Sequence, residues 1–235
     1  MQDKKVIGII GAMDEEVAGL KELMSDVEVK NVAGISFYEG ILCDKNVVVV
    51  KCGVGKVNAA MCTQVLADLY NVSAIINTGV AGSLNPEINI GDIVLATDTV
   101  EHDMDAGGLG FAPGINPDMD VNIFKTDDYL YNTAKEAAKN ADLKVSVFSG
   151  RIVSGDQFIS GKEKKHWLTD TFAGMCAEME GAAIGHAAYL NNIPFLVVRA
   201  ISDKADDSAE MDYPSFKDMA ITNSISLITE IVKQY

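Results

Sequence analysis

A chain of 235 residues, 48% hydrophobic and 23% charged, can bury a large core, which excludes a disordered or fibrous protein. Its 34 acidic residues against 19 basic ones give a net charge of -15, which repels nucleic-acid backbones and anionic membranes, so neither is expected as a partner. The only arginines are Arg151 and Arg199, too few for a multi-arginine phosphate clamp.

In chain order, the hydrophobic pattern predicts a strand over 6–10 that runs into Gly11, Ala12 and Met13, then a helix over 15–24. Strands follow over 35–42 and 47–51, the second ending in Gly53-Val54-Gly55, with a helix over 56–70. A strand over 74–78 leads into Gly79-Val80-Ala81-Gly82, and another spans 92–97. A helix over 127–141 precedes a strand over 145–153, which reaches Ser154-Gly155-Asp156. The last three elements are a helix over 179–190, a strand over 195–200 that leads into Ser202-Asp203, and a helix over 214–233.

This alternation, without a long linker, a repeat or a low-complexity tract, predicts one α/β domain over 1–235. Lys4 and Lys5 precede an apolar run that Asp14, Glu15 and Glu16 cut short, so no signal peptide is expected. No segment reaches the ~18 apolar residues of a membrane span, and a cytoplasmic location is expected. Cys43, Cys52, Cys62 and Cys176 show no C-x-x-C spacing and are expected as buried free thiols.

Five strand ends carry small or polar residues, and in open α/β sheets ligands bind where such ends converge. One composite pocket is therefore expected. Gly8 and Gly11 lack the full G-x-G-x-x-G spacing, so no dinucleotide cofactor is expected. Asp14, Glu15 and Glu16 suit the positive end of a helix dipole as well as acid–base chemistry. The backbone of Val80, Ala81 and Gly82 can offer N–H groups to a ligand oxygen, or simply make a tight connection.

Glu178 and Glu180 flank Met179 amid small apolar residues, either as a site or as an exposed helix start. Arg199 and Asp203 end the most apolar strand, where burial without partners is costly, which points to function. The stretch 101–105 has metal-ligand residue types but not their spacing, and no metal is expected. His166 and His186 stand alone and read as surface or core residues.

Taken together, Gly8-Ile9-Ile10-Gly11-Ala12-Met13-x-Glu15-Glu16, Asn77-Thr78-Gly79-Val80-Ala81-Gly82, 153–159, Glu178-Met179-Glu180-Gly181 and Arg199-Ala200-Ile201-Ser202-Asp203 resemble the bacterial 5'-methylthioadenosine/S-adenosylhomocysteine nucleosidases. The motifs occur in that family's order and cover nearly the whole chain. The resemblance implies a nucleoside-phosphorylase-type α/β/α sandwich whose mixed central sheet is partly barrel-like. It also implies a homodimer that takes a small nucleoside and needs no cofactor.

By the same resemblance, Asp203 would protonate or hydrogen-bond N7 of adenine, held by Ser202, and Glu16 would activate water with Arg199 close by. Glu180 would take the ribose hydroxyls, with Met179 on the sugar and Met13 and Val54 lining the ribose and 5' region. Phe158 would stack on the purine and the backbone of Ile159 would read its edge. Val80, Ala81, Gly82 and Glu178 complete the expected substrate-binding set.

An N-ribosyl bond breaks through an oxocarbenium-like transition state, so an acid, a base and an anion beside the sugar fit the chemistry. The family's loop departs here: the segment 106–113 is about four residues shorter, and Leu109 or Phe111 would stand in for an aromatic that reaches the partner's 5' pocket. Three other readings compete with hydrolysis: phosphorolysis on the same fold, a non-catalytic nucleoside binder, and a nicotinamide-dependent enzyme. The scarcity of arginine counts against the first, and the carboxylate set against the second.

Overall fold

The strand from Phe195 to Asp203 is apolar on both faces, so it must be covered on both. In the computed structural model, which describes residues 5–141 and 143–235, helices supply that cover. Lys4, half of the basic start noted above, lies outside the described residues. The order is β1 (Val6–Gly11), α1 (Asp14–Glu22), β2 (Ser25–Val32), β3 (Ile35–Leu42), β4 (Lys45–Lys51), α2 (Lys56–Tyr70), β5 (Ala74–Ser83) and β6 (Ile93–Glu101). Next come β7 (Phe124–Lys125), α3 (Asp128–Asn140), β8 (Val147–Ser154), α4 (Lys162–Phe172), β9 (Cys176–Glu178), α5 (Gly181–Leu190), β10 (Phe195–Asp203) and α6 (Ala209–Gln234).

One mixed sheet carries the molecule. Its first part runs β2-β3-β4-β1-β5, with β1 parallel to both β4 and β5. From β5 the sheet curls through β10, β6, β8 and β9 and closes on β5 again, a ring of five strands. Within the ring β10 is parallel to β5, whereas β6 is antiparallel to β10 and β9 is antiparallel to β5. The partly barrel-like expectation is therefore met, and β8 and β9 approach the site against the direction of β5 and β10.

Side-chain alternation along β10 sends Leu196, Val198 and Ala200 into a core with α1, α3 and α6. Phe195, Val197 and Ile201 point into a second core with α2 and α5, and Arg199 shares the parity of that face. A smaller cluster under α4 joins Leu168 and Phe172 to Val153 and Ile159. All four cysteines are free, and among the described residues no helix is long and apolar enough to cross a membrane.

Several boundaries differ from the sequence expectation, each for a physical reason. β2, β7, α4 and β9 were not expected: β2 is an exposed edge strand, α4 carries many charges, and β7 and β9 are two and three residues long. Gly79 to Ser83 is not a loop, because it pairs with β10 on one side and β9 on the other. α5 begins at Gly181, which leaves Met179 and Glu180 in the connection before it. α6 begins at Ala209 rather than at Pro214, so the proline lies inside the helix.

Phe37 ties the outer strands to a helix: it is fully buried on β3 and stacks on Tyr70 of α2 at 5.5 Å. Phe37→Ala should lower stability by about 3–5 kcal/mol through lost burial and the cavity left behind. Urea unfolding followed by circular dichroism checks this.

Candidate active site

α1 opens with three acidic residues, and their fates diverge. Asp14 and Glu15 face solvent and pair with Lys51 and Lys217. Glu16 turns inward as the third residue of the helix and accepts hydrogen bonds from the N–H groups of Ala12 at 2.7 Å and Met13 at 3.0 Å. Its other oxygen accepts from Val80 N–H at 3.1 Å. Burial raises the Glu16 pKa, opposed by Arg199 and these three backbone donors.

The motif around Gly79 shows why its residues are small. A Cβ on Gly79 would stand 2.7 Å from Glu16 Oε1, and one on Gly82 would stand 2.6 Å from Asp203 Oδ1. Each glycine leaves room for one carboxylate.

Beneath the site lies Arg199, 1% exposed. Its Nε donates to Glu178 Oε2 at 3.1 Å, its Nη2 donates to the same oxygen and to Asn77 Oδ1 at 2.6 Å, and its Nη1 donates to the Val198 carbonyl. Asn77 in turn donates to the Ile10 carbonyl at 2.9 Å, which links β5 to β1. Glu178 also accepts from Ser154 Oγ and from the N–H groups of Glu180 and Gly181, while Ala182 N–H donates to Ser154 Oγ at 2.7 Å. Ser154 and Glu178 thus satisfy the free N–H groups at the start of α5.

Glu180 stands at that helix start, 6% exposed. Its Oε1 accepts from Gly55 N–H at 2.8 Å and its Oε2 lies 3.8 Å from Arg199 Nη2. Burial, then repulsion by Glu178, pushes its carboxyl up to about 7 against the pull of Arg199. Asp203, 2% exposed, accepts from Ser202 Oγ at 2.9 Å and from Ala205 N–H at 2.8 Å. Burial raises its pKa as well, with Asp212 and Asp206 adding to the rise.

Glu16, Glu180 and Asp203 border one cavity of about 220 Å³. The expected residues come together there, with the exception of Arg199, which does not reach the cavity wall. Its place is behind Glu178 and Glu180, because every donor named above is spent on protein acceptors. Glu178 does border the cavity, yet both of its oxygens are engaged by protein donors.

Tyr213 of α6 was missed by the sequence reading, as were Gln157 and Ala177, whereas Ala12 lies at one of the strand ends expected to form the pocket. The Tyr213 hydroxyl donates to Met13 Sδ at 3.2 Å and its ring meets Phe158 edge-on at 5.9 Å. The misread start of α6 concealed it. Gln157 and Ala177 had a signal in lying beside expected residues. The cavity lining thus joins an aromatic and apolar cluster of Met13, Phe158 and Tyr213 to the carboxylates of Glu16, Glu180 and Asp203.

The stretch 101–105 holds a cation from within the chain. Lys56 Nζ lies 2.8 Å from Glu101 and 2.7 Å from Asp103. His186 is not solitary, since its Nδ1 lies 3.0 Å from Glu101. His186 and Lys56 draw the Glu101 carboxyl down to about 2. His102 is buried, and burial lowers its pKa.

A buried carboxyl with a raised pKa makes the fold bind more protons than the unfolded chain, so stability falls as pH rises from the ordinary carboxylate range to about 7. Glu180→Gln should therefore raise the melting temperature at pH 8 and change it little at pH 4. Thermal melts of both proteins at the two pH values check this, and an unchanged melt at pH 8 would contradict it.

With this geometry in view, likeness to known proteins narrows the family. Residues 6–233 match the family described as the Phosphorylase superfamily. The 5'-methylthioadenosine/S-adenosylhomocysteine nucleosidase of Staphylococcus saprophyticus is 41% identical over 229 residues, 97% of this chain and 99% of that one. The nucleosidase of the same name from Neisseria meningitidis, solved with methylthio-immucillin-A, superposes with a TM-score of 0.94 at 36% identity, over 98% of this chain and 100% of that one. The futalosine hydrolase of Helicobacter pylori superposes with the same TM-score at 31% identity, over 100% of both chains. The chain belongs to the Phosphorylase superfamily and, within it, to the 5'-methylthioadenosine/S-adenosylhomocysteine nucleosidases.

Proposed function

We propose that the protein hydrolyses the N-ribosyl bond of 5'-methylthioadenosine and S-adenosylhomocysteine, releasing adenine and the 5'-thioribose in methionine salvage. The observation that carries this reading is the meeting of three buried carboxylates, all with raised pKa, at a cavity with no arginine in its wall. Arg151 is committed to Asp98 and to the Phe172 carbonyl, and Arg199 to Glu178 and Asn77. Neither is free to hold phosphate, so water rather than phosphate is the nucleophile.

In this mechanism Asp203 enters protonated, the form towards which burial shifts its carboxyl. The bond from the ribose carbon to adenine N9 breaks, its electron pair passes to the purine, and Asp203 gives its proton to N7. Water attacks the ribose carbon and Glu16 takes the proton that water loses. Glu180 accepts the ribose hydroxyls and offsets the positive charge that develops on the sugar. Solvent returns the proton from Glu16 to Asp203 between turnovers.

Phe158 stacks on adenine, the Ile159 backbone reads its edge, and Met179 packs on the sugar. Met13 and Val54 line the ribose and 5' region, with the 80–82 backbone beside them. Ser202 steadies Asp203, Glu178 acts through α5 and Arg199, and Arg199 acts through the carboxylates rather than by touching substrate. A set of group roles complete in side chains calls for no cofactor.

We further propose a cytoplasmic homodimer. Support comes from Leu109 and Phe111, which are 76% and 41% exposed and stay outside their own chain's cavity. Val57 and Met61, one turn apart on α2, are exposed beside Val54. A second copy would cover such an apolar surface. Sedimentation at micromolar concentration should give the dimer mass, and an active monomer would count against this assembly.

Adenine release should proceed at the same rate without phosphate and yield free thioribose; strict dependence on phosphate would overturn the hydrolytic reading. Asp203→Asn should keep the fold and the affinity for a substrate analogue while losing about 10²- to 10⁴-fold in turnover, since asparagine cannot deliver the proton. Steady-state kinetics beside analogue titration check it, and near-normal turnover would assign the acid to another group. A panel that adds 5'-deoxyadenosine and futalosine to the two named substrates ranks the 5' substituents.

A further inference from the structure

We propose that Lys56 and Asp156 form a latch that positions the Glu180 carboxylate and fixes the sugar wall of the cavity against the purine wall, which makes both of them positioning residues. The inference rests on the role given to Glu180 above and extends it to residues outside the cavity.

The latch can be traced atom by atom. Gly55 N–H, which donates to Glu180, belongs to the turn that starts α2. The next N–H, that of Lys56, donates to Asp156 Oδ1 at 2.8 Å. Asp156 N–H donates to Asp103 Oδ2 at 2.9 Å, and Lys56 Nζ closes the loop by holding Asp103 and Glu101. Three chain segments are thus joined at Lys56: the turn before α2, the end of β6 and the segment after β8.

The turn requires this support because of its backbone. Gly55 has a φ of +97°, and a Cβ there would stand 2.9 Å from Asp156 Oδ1. Asn58 Nδ2 ties back to the Val54 carbonyl at 2.7 Å, but Gly55, the N-cap of α2, has no side chain to accept from the N–H groups that open the helix. Asp156 supplies the missing acceptor from 100 residues away.

Position follows from the same connections. Phe158 and Ile159 lie two and three residues after Asp156 and border the cavity, as Val54 does just before Gly55. A ligand held by both walls meets them at a separation that Asp156 sets. A displacement of under an ångström at Gly55 would weaken the one hydrogen bond that the Glu180 carboxylate accepts among the described residues.

Glu180 is faced by Glu178 of β9, Arg199 of β10, Glu16 of α1 and Cys52 just after β4, in addition to Gly55 N–H. Only Gly55 N–H depends on the latch. Its loss removes a donor that favours the ionised carboxylate, so Glu180 would ionise at higher pH.

The test is the pH dependence of kcat/KM for wild type, Glu180→Gln, Asp156→Ala, Asp156→Asn and Lys56→Met. Glu180→Gln should abolish the acidic limb that belongs to Glu180. Asp156→Ala should shift that limb upward by about half a pH unit or more and raise KM, whereas Asp156→Asn keeps the acceptor and should track wild type. Lys56→Met should shift the limb in the same direction. Glu16 contributes its own acidic limb, so a Glu180→Gln profile with an acidic side unchanged from wild type would refute the role of Glu180 itself. A limb lost in Glu180→Gln but unmoved in Asp156→Ala would overturn the latch alone. Asp156 is exposed, so its replacement spares the core, and the Asp156→Ala result stands even if Lys56→Met does not fold.

Discussion

The ion pair between Arg199 and Glu178 holds the site together, and it does so from a position that substrate does not reach. Two charges this deeply buried are costly to desolvate, and their mutual attraction offsets that cost only when the remaining donors and acceptors are satisfied. Here they are, through Asn77, the Val198 carbonyl, Ser154 and the N–H groups that open α5. β5, β8, β9, β10 and α5 all converge on this pair, so the geometry of the surrounding carboxylates follows from it. Removing either partner would leave an uncompensated charge in the centre of the molecule.

The pair also sets the electrostatics. Glu16, Glu180 and Glu178 share one guanidinium, so not all of their charge is cancelled. Burial then decides the rest, and it pushes Glu16, Glu180 and Asp203 in the same direction while hydrogen bonds separate them. Glu16 accepts three backbone N–H groups, Glu180 accepts one, and Asp203 accepts one backbone N–H and a hydroxyl. Carboxyl groups of one chemical type are thereby given different tasks, with no metal or organic group needed to tell them apart.

Most of this was legible in the sequence where the pattern had a single physical cause. Strands β1, β3, β4 and β10 read clearly because their apolar runs are covered on both faces or alternate strictly. β2 escaped because it is exposed along its length, and α4 because charges interrupt its apolar stripe. A composite pocket was legible because small residues and carboxylates follow several apolar strands, whereas Met13, Val54, Phe158 and Ile159, and the role of each group, were expected only from the family resemblance. Arg199 was expected beside the substrate for the same reason, but a lone sequence cannot say that Glu178 and Asn77 intercept it first. Tyr213 was hidden because the apolar spacing placed the start of the last helix at Pro214, five residues after its actual start at Ala209.

The closed ring of five strands has a consequence for how this molecule can change. Every strand in the ring is paired on both sides, so a substitution there is felt around the whole circuit. The segment 106–113 and the first turns of α6 carry no such constraint. They can vary in length and composition without moving the carboxylates, which are fixed to the ring and to α1 and α5. Recognition of the group at one end of a ligand is in this way separable from the bond-breaking chemistry at the other. A scaffold divided like this can acquire new specificities by small steps in its loops, each one tolerable on its own, while the reaction is inherited unchanged.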